Sequence, residues 1–447
     1  MSRSRASRRL ACRVGLSLLG WLGSVHAQSA DPGASPEPTS LAELEGEPLS
    51  LTDPSAPALE TLGGLALYGF ADFGFYKTFM PKGSLIRTQL FGDSAFAVGN
   101  LNTYLSGELG GGWRSLMEIR FTYLPNGSRP ITASGIERVS TAAQDYTNSG
   151  RVRNTGSIFI ERAWIEYSAS AALNLRGGSW LTPYGIWNED HGSPTIIPVT
   201  RPYVIGLELL PERQTGLLLY GSFFASESVT LRYQVGLSNG RGPIQDYADL
   251  DENKAVTLRL QLHHHGAGDL DLGAAAYIGR YTDLDQLIRP NGNGVLGVEE
   301  QLLQRYDEAS YALDARYVRG GLHLQTEFIM NEKAYADGGR PVRSATQFQP
   351  DDRRYGGYGL AGYRFDWLGI MPYLTGEYFS PINTFEPTRA ATRDVFWDFG
   401  LGINSRPTTN VTLKLEGNLA VFDIENAKGS ALEHPVLGVQ AQVAWAF

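Results

Sequence analysis

A single cysteine, Cys12, occurs in the whole chain. Without a second thiol there is no disulfide framework, and Cys-dependent catalysis or a Cys-ligated metal site cannot be built further along. Long apolar runs are missing too. After residue 30 nothing approaches the roughly 18–20 consecutive apolar residues that a membrane-spanning helix needs, and the mean hydropathy is only −0.20. A helical membrane protein is therefore excluded. Gly-rich phosphate signatures are absent, because the glycines stand singly in strands or at turns. No serine, histidine and acid set has the context of a hydrolase, so no catalytic residue, cofactor or metal is expected. The run His263-His264-His265 invites a zinc reading, but successive strand residues point to opposite faces, and a solvated turn accounts for it better. The acidic balance, −9 overall, argues against nucleic acid as a partner.

Glycine (52 residues) and aromatics (11%) are plentiful, a mixture suited to strands, tight turns and interfacial rings. The first residues read as an export address. Arg3, Arg5, Arg8, Arg9 and Arg13 precede a short apolar stretch around Val14–Trp21, and Val25-His26-Ala27 offers a cleavage site. Cutting after Ala27 removes Cys12 and five positive charges, taking the formal charge from −9 to −14. Residues 28–63, rich in Pro, Ser, Glu and Ala, lack the apolar density to bury a core and read as a disordered periplasmic arm.

From residue 64 to 447 the pattern becomes segments of about ten residues with alternating polarity. Val411, Leu413, Leu415, Leu419 and Val421 share one face, and Thr412, Lys414, Glu416 and Asn418 the other. Val256, Leu258, Leu260 and Leu262 separate in the same way from Thr257, Arg259, Gln261 and His263. In Ser157–Ser168 the rule fails: Phe159, Ala163, Ile165 and Tyr167 face one way, yet Glu161 shares their face and Ile160 lies opposite, which predicts a bulge.

Seven short turns, at 110–112, 170–172, 225–227, 265–268, 319–321, 367–369 and 406–409, alternate with eight long polar loops, near 81–93, 125–155, 181–212, 239–251, 282–304, 332–355, 382–393 and 425–434. That arithmetic gives an all-β, antiparallel transmembrane barrel of about 16 strands, with short periplasmic turns and long extracellular loops in a bacterial outer membrane. The last strand ends on Phe447, and Tyr311, Tyr317, Tyr363, Phe365, Trp367 and Trp445 are spaced as interfacial girdles touching lipid.

The opening "LYGFADFGF", the sixteen-segment pattern and the closing "VAWAF" resemble Gram-negative porins over residues 64–447. Residues 174–190, "NLRGGSWLTPYGIWNED", with "LLPERQTGLLLYGSF" at 209–223, resemble the stretch through the third external loop of the phosphate-selective porin superfamily. The resemblance implies passive diffusion of small hydrophilic solutes or ions, insertion by the barrel-assembly machinery through the C-terminal strand, and a homotrimer. The lysines depart from that superfamily: only Lys77, Lys82, Lys254, Lys333, Lys414 and Lys428 occur, none in the third loop, so phosphate specificity does not carry over.

A sixteen-stranded barrel encloses a wide lumen, so selection needs a constriction. Loop 181–212 is the candidate, stiffened by Pro183, Pro194, Pro198, Pro202 and Pro211, with Glu189, Asp190, His191 and Arg201 facing the wall. Period two places Arg114, Arg120, Arg162, Arg176, Arg232, Arg259, Arg280, Arg316, Arg364 and Lys414 on the lumen side. Opposing them there are Glu118, Glu166, Asp271, Asp314, Glu327, Glu377 and Glu416. The modest arginine excess suggests a weak anion preference, and mutual pairing of these charges is the alternative. A barrel enzyme of lipase or protease type and a plugged structural or adhesive barrel remain the other classes.

Overall fold

The computed structural model describes residues 65–79, 94–122, 157–206, 209–242, 249–290, 296–340, 351–367, 369–380, 395–423 and 435–447. The export signal (1–27), the arm (28–63) and the loops 81–93, 125–155, 382–393 and 425–434 lie outside these residues.

Sixteen strands follow one another: β1 (Leu65–Phe79), β2 (Ala95–Gly110), β3 (Trp113–Thr122), β4 (Ser157–Ser170), β5 (Leu173–Leu181), β6 (Arg213–Ser226), β7 (Val229–Ser238) and β8 (Ala255–His265). They continue with β9 (Asp269–Pro290), β10 (Leu296–Arg319), β11 (Leu322–Tyr335), β12 (Asp352–Tyr363), β13 (Ile370–Ser380), β14 (Val395–Thr408), β15 (Val411–Asp423) and β16 (Val436–Ala446). One helical turn, α1 (Tyr203–Gly206), lies between β5 and β6. Each strand pairs with its sequence neighbours, and β1 closes on β16, with Phe70 opposite Ala446 and Phe79 opposite Leu437. The last residue joins the seam: Gly69 and Phe447 exchange backbone hydrogen bonds of 2.8 and 2.9 Å. Closure leaves no strand edge for lipid, which cannot hydrogen-bond a free N–H or C=O.

Alternation sorts the two faces as expected. On β15, Leu413 and Leu415 are 42% and 53% exposed on the outer wall, whereas Thr412, Lys414 and Glu416 between and beside them are at most 3% exposed. Facing lipid at mid-depth, a lysine or arginine would cost about 2–4 kcal/mol, so polarity itself orients each strand. The irregularity in β4 is a bulge at Glu161. Glu118 pairs with Arg162 and the next residue, Ile119, with Ile160, so one extra residue is accommodated. The bulge returns Ile158 and Ile160 to the outer wall and leaves both Glu161 and Arg162 buried. Phe159 changes sides as a result: it pairs with Arg120 instead of joining Ala163 and Ile165.

The β2–β3 turn needs its glycines, because Gly110, Gly111 and Gly112 all hold positive φ (81°, 62° and 85°). The connection expected at 282–304 is mostly strand. β9 and β10 stay paired up to Pro290 and Leu296, beyond the level where an apolar face is required, so a polar segment there reads as loop although its backbone remains in the ladder. Rings mark both rims of the outer wall. Tyr363, Phe365, Trp367 and Phe447 are exposed near the short turns, while Phe96, Trp397 and Phe399 are exposed toward the opposite end.

The apolar core sits inside the lumen. Tyr184, Trp187, Val204, Ile205, Leu209 and Leu210, all from the segment between β5 and β6, pack on inward side chains that include Tyr277, Ile329, Tyr358 and Phe379.

Candidate functional site

The described residues of the connection between β5 and β6, 182–206 and 209–212, fold into the barrel and bond its wall strand after strand. Near the start of the loop, Glu327 of β11 accepts the backbone N–H of Trp187 (2.8 Å) and the Tyr358 hydroxyl (2.5 Å). Gly185 lies against the same carboxylate with φ of 63°, and a Cβ there would strike Glu327. Arg259 of β8, 1% exposed, donates to Gly185 O (3.0 Å) and pairs with Glu189 (3.2 Å) and Asp314 (3.2 Å).

At the middle of the loop, Asp190 pairs with Arg316 of β10 (3.2 Å) and His191 with Glu118 of β3 (3.2 Å). Adjacent loop residues thus reach well-separated strands. Burial pushes the Asp190 carboxyl above the ordinary aspartate range, against the pull of Arg316. Ser193 then donates to Asp72 of β1.

The next stretch lies along β14–β16. Asn404 donates to Ile197 O (3.0 Å), Arg406 to Pro194 O (2.9 Å), Lys414 to Pro198 O (3.1 Å) and Gln440 to the Thr200 hydroxyl (2.8 Å). Glu416 accepts the N–H groups of Val199 (2.7 Å) and Thr200 (3.2 Å). Glu377 of β13 accepts the N–H of Val204 at α1 (2.6 Å), and Ser310 of β10 donates to Leu209 O (2.8 Å). Where the loop leaves the lumen, Glu212 pairs with Arg201 (3.5 Å) and Arg213 (3.4 Å). Burial alone would raise the Glu212 carboxyl, but these guanidiniums hold it below the usual range.

A second polar network lines β3–β6. Glu166 binds Arg114, Arg176 (2.5 Å) and the Tyr220 hydroxyl (2.5 Å), and Arg176 stacks 3.9 Å over Trp164. Arg162 pairs with Glu118 (2.7 Å), while Glu161 takes Arg213 (2.6 Å) and lies 3.7 Å from Arg120. Arg232 shares this lumen side, opposite Gln261 in register.

Three parts of the sequence assignment change. Glu327, Glu377, Glu416, Lys414 and Arg259 do face inward, but the loop covers them: they hold its backbone and acids and do not line open water. Period two gives a residue's face and cannot tell what else occupies the lumen. Among the described residues, Arg201 pairs within its own loop, with Glu212, and not with the wall. Arg280 moves to the outer face. It sits opposite Asp307 in the β9–β10 register, bonded at 2.6 Å, on the face that carries Ile278 and Leu313. Arg364, at the end of β12, stays inward, with its guanidinium 3.6 Å from Met371 Sδ.

The histidine rings take separate partners: Asp271 (2.7 Å) for His263, Ser228 O (3.2 Å) for His264 and Asp269 (2.5 Å) for His265. Sequence reasoning passed over Asp72, Glu161, Asn404 and Arg406. Glu161 alone carried a signal, as the residue that broke alternation in β4.

No protein-family model matches the chain. Over 128 residues, 28% of the chain, it is 30% identical to an uncharacterised protein of Aquifex aeolicus, and the match spans 27% of that protein's length. Among solved structures, the barrel superposes on the anion-selective porin of Comamonas acidovorans with a TM-score of 0.50 and 13% identity, covering 86% of this chain and 99% of that one. It also superposes on outer-membrane-expressed OmpT of Vibrio cholerae with a TM-score of 0.50 and 8% identity, covering 86% and 97%. The fold is that of a porin-like barrel. Identities this low carry the fold alone, and function is argued from the lumen.

Proposed function

We propose that this chain is an outer-membrane porin through which small hydrophilic solutes and ions diffuse passively, with a weak preference for anions. The observation that carries the reading is the arrangement of loop 182–212. Its middle is held by β1, β3, β8, β10, β11 and β13–β16, while the arc β4–β7 meets it near its two ends, through Thr182, Gln214 and Glu212. We place the water path along that arc and past β3, beside Arg114, Arg120 and Arg213, whose side chains are 21%, 28% and 34% exposed. Arginines outnumber carboxylates there: Arg114, Arg120, Arg162, Arg176, Arg213 and Arg232 stand against Glu118, Glu161, Glu166 and Glu212. Such an excess lowers the energy of a passing anion and raises that of a cation. Assembly as a homotrimer and insertion by the barrel-assembly machinery belong to the same proposal.

Liposome swelling tests it. Proteoliposomes should swell in isotonic solutions of small sugars and small carboxylates, at rates that fall with solute size. Intact liposomes carrying folded protein that do not swell in any of them would point to a plugged barrel instead.

A further inference from the structure

Nearly every inward arginine of the described lumen is held by a carboxylate; the mouth framed by the short turns is different. His323 of β11, Arg364 at the end of β12 and Arg406 of β14 all project inward there, and among the described residues none of them makes an ion pair. They lie close together in the ladder. His323 is opposite Gly362, two residues before Arg364, and Arg364 N–H bonds Gly321 O at 2.7 Å. Across β13, Arg406 N–H bonds Gly369 O at 2.9 Å, and Met371 pairs with Asn404. Arg364 and Arg406 are thus two strand spacings apart and offset by two residues along the strands, roughly 12 Å at the backbone, a gap that two long side chains can close. The ring of His323 lies within electrostatic reach of Arg364, Arg406 and Arg316.

What these groups do bind leaves charge over. Among the described residues, the Arg364 side chain bonds only the sulfur of Met371, itself wholly buried, and Arg406 turns one nitrogen to the loop carbonyls of Pro194 and Thr195. Its Nε is buried with no partner, as is Asn404 Oδ1. Arg316 is already neutralised by Asp190 and Asp271. Asp366, the carboxylate nearest in sequence, acts on Arg364 from the exposed turn but makes no ion pair with it among the described residues, so it offsets only part of the charge. Like charges gathered in a partly dry site without a paired counter-charge are costly unless an anion joins them.

We propose that His323, Arg364 and Arg406 form a binding site for a multivalent oxyanion at the short-turn mouth of the lumen. Two guanidiniums supply planar donor pairs, the geometry that carboxylate and phosphate oxygens accept in bidentate fashion. The site rests on the pore reading for its use, as a station that an anion occupies between the arginine-rich arc and the mouth, but not for its chemistry.

Equilibrium dialysis of the full-length protein in detergent tests it, with labelled inorganic pyrophosphate and labelled citrate titrated in parallel. The tighter of the two tells whether phosphate or carboxylate oxygens suit the site. Arg364→Gln with Arg406→Gln should weaken binding about tenfold or more. Arg280→Gln with Arg353→Gln, which removes equal charge at the opposite end of the barrel, should leave it unchanged. If the double glutamine variant does not fold, Arg364→Ala and Arg406→Ala are tested singly, each expected to weaken binding. Failure of both anions to bind the wild type, equal binding by the site variants, or equal loss in the Arg280/Arg353 variant would overturn the site. Conductance of the same preparations in planar bilayers is read separately: binding without conductance defeats the pore and leaves the site, and conductance without binding does the reverse.

Discussion

Glu327 accepts the backbone N–H of Trp187 at 2.8 Å although the two residues are 140 positions apart. Glu377 and Glu416 do the same for Val204 and Val199. Three carboxylates on three strands thus take up donors that an irregular segment would otherwise bury unsatisfied, at about 1–3 kcal/mol for each one lost. The side chains that hold the loop in the lumen are therefore glutamates as much as arginines.

Loosening that hold should widen the path. Glu327→Ala orphans the Trp187 N–H and removes the acceptor of the Tyr358 hydroxyl, which keeps only the Gln325 amide that donates to it, and Gly185→Ala drives a Cβ into Glu327 at a position with φ of 63°. Each should lower stability by about 1–3 kcal/mol and enlarge the single-channel step. An unchanged step size in both variants would mean that this end of the loop does not border the path.

Charge reversal along the arc should alter selectivity where reversal outside it does not. Arg120→Glu and Arg232→Glu each change two charge units beside the proposed path. At roughly 8 Å in a watery lumen that is about 1 kcal/mol against an anion and about as much in favour of a cation, or up to roughly thirtyfold in the anion-to-cation permeability ratio before salt screening. Reversal potentials in a KCl gradient should move toward cations for these two and stay put for Arg280→Glu, whose side chain lies on the outer wall beside Asp307. A shift for Arg280→Glu equal to the other two would reduce the effect to net charge.

Acid should strengthen the anion preference in part through Asp190. Because burial raises its carboxyl, it gains a proton at a higher pH than an exposed aspartate, and as pH falls its pairing with Arg316 weakens early. Arg316 then keeps only Asp271. Asp190→Asn should show the acid-type reversal potential already at neutral pH and a smaller further change on acidification. Parallel curves for the variant and the wild type would mean that the Asp190–Arg316 pair does not act on the path.

The barrel was legible because lipid outside and water inside write a period of two into each strand, and β15 displays it from Val411 to Val421. Even the bulge at Glu161 announced itself as a broken rule. The lumen was less legible. Lys414 and Glu416 read as wetted lining because their face is correct, yet the carbonyl of Pro198 and the N–H of Val199 cover them. Those contacts join residues more than 200 positions apart through backbone atoms, which every residue carries and no composition reveals. Arg280 was misplaced for a different reason. On the β9–β10 extension the outer face can be polar, so a charge no longer indicates which way it points.

Planar-bilayer recording of the purified full-length protein tests the central claim, an open aqueous path beside a loop fastened across the lumen. The account predicts stepwise, ohmic conductance with a reversal potential slightly on the anion side in a KCl gradient. Silent bilayers, from protein whose heat-modifiable migration shows a folded barrel, would contradict it.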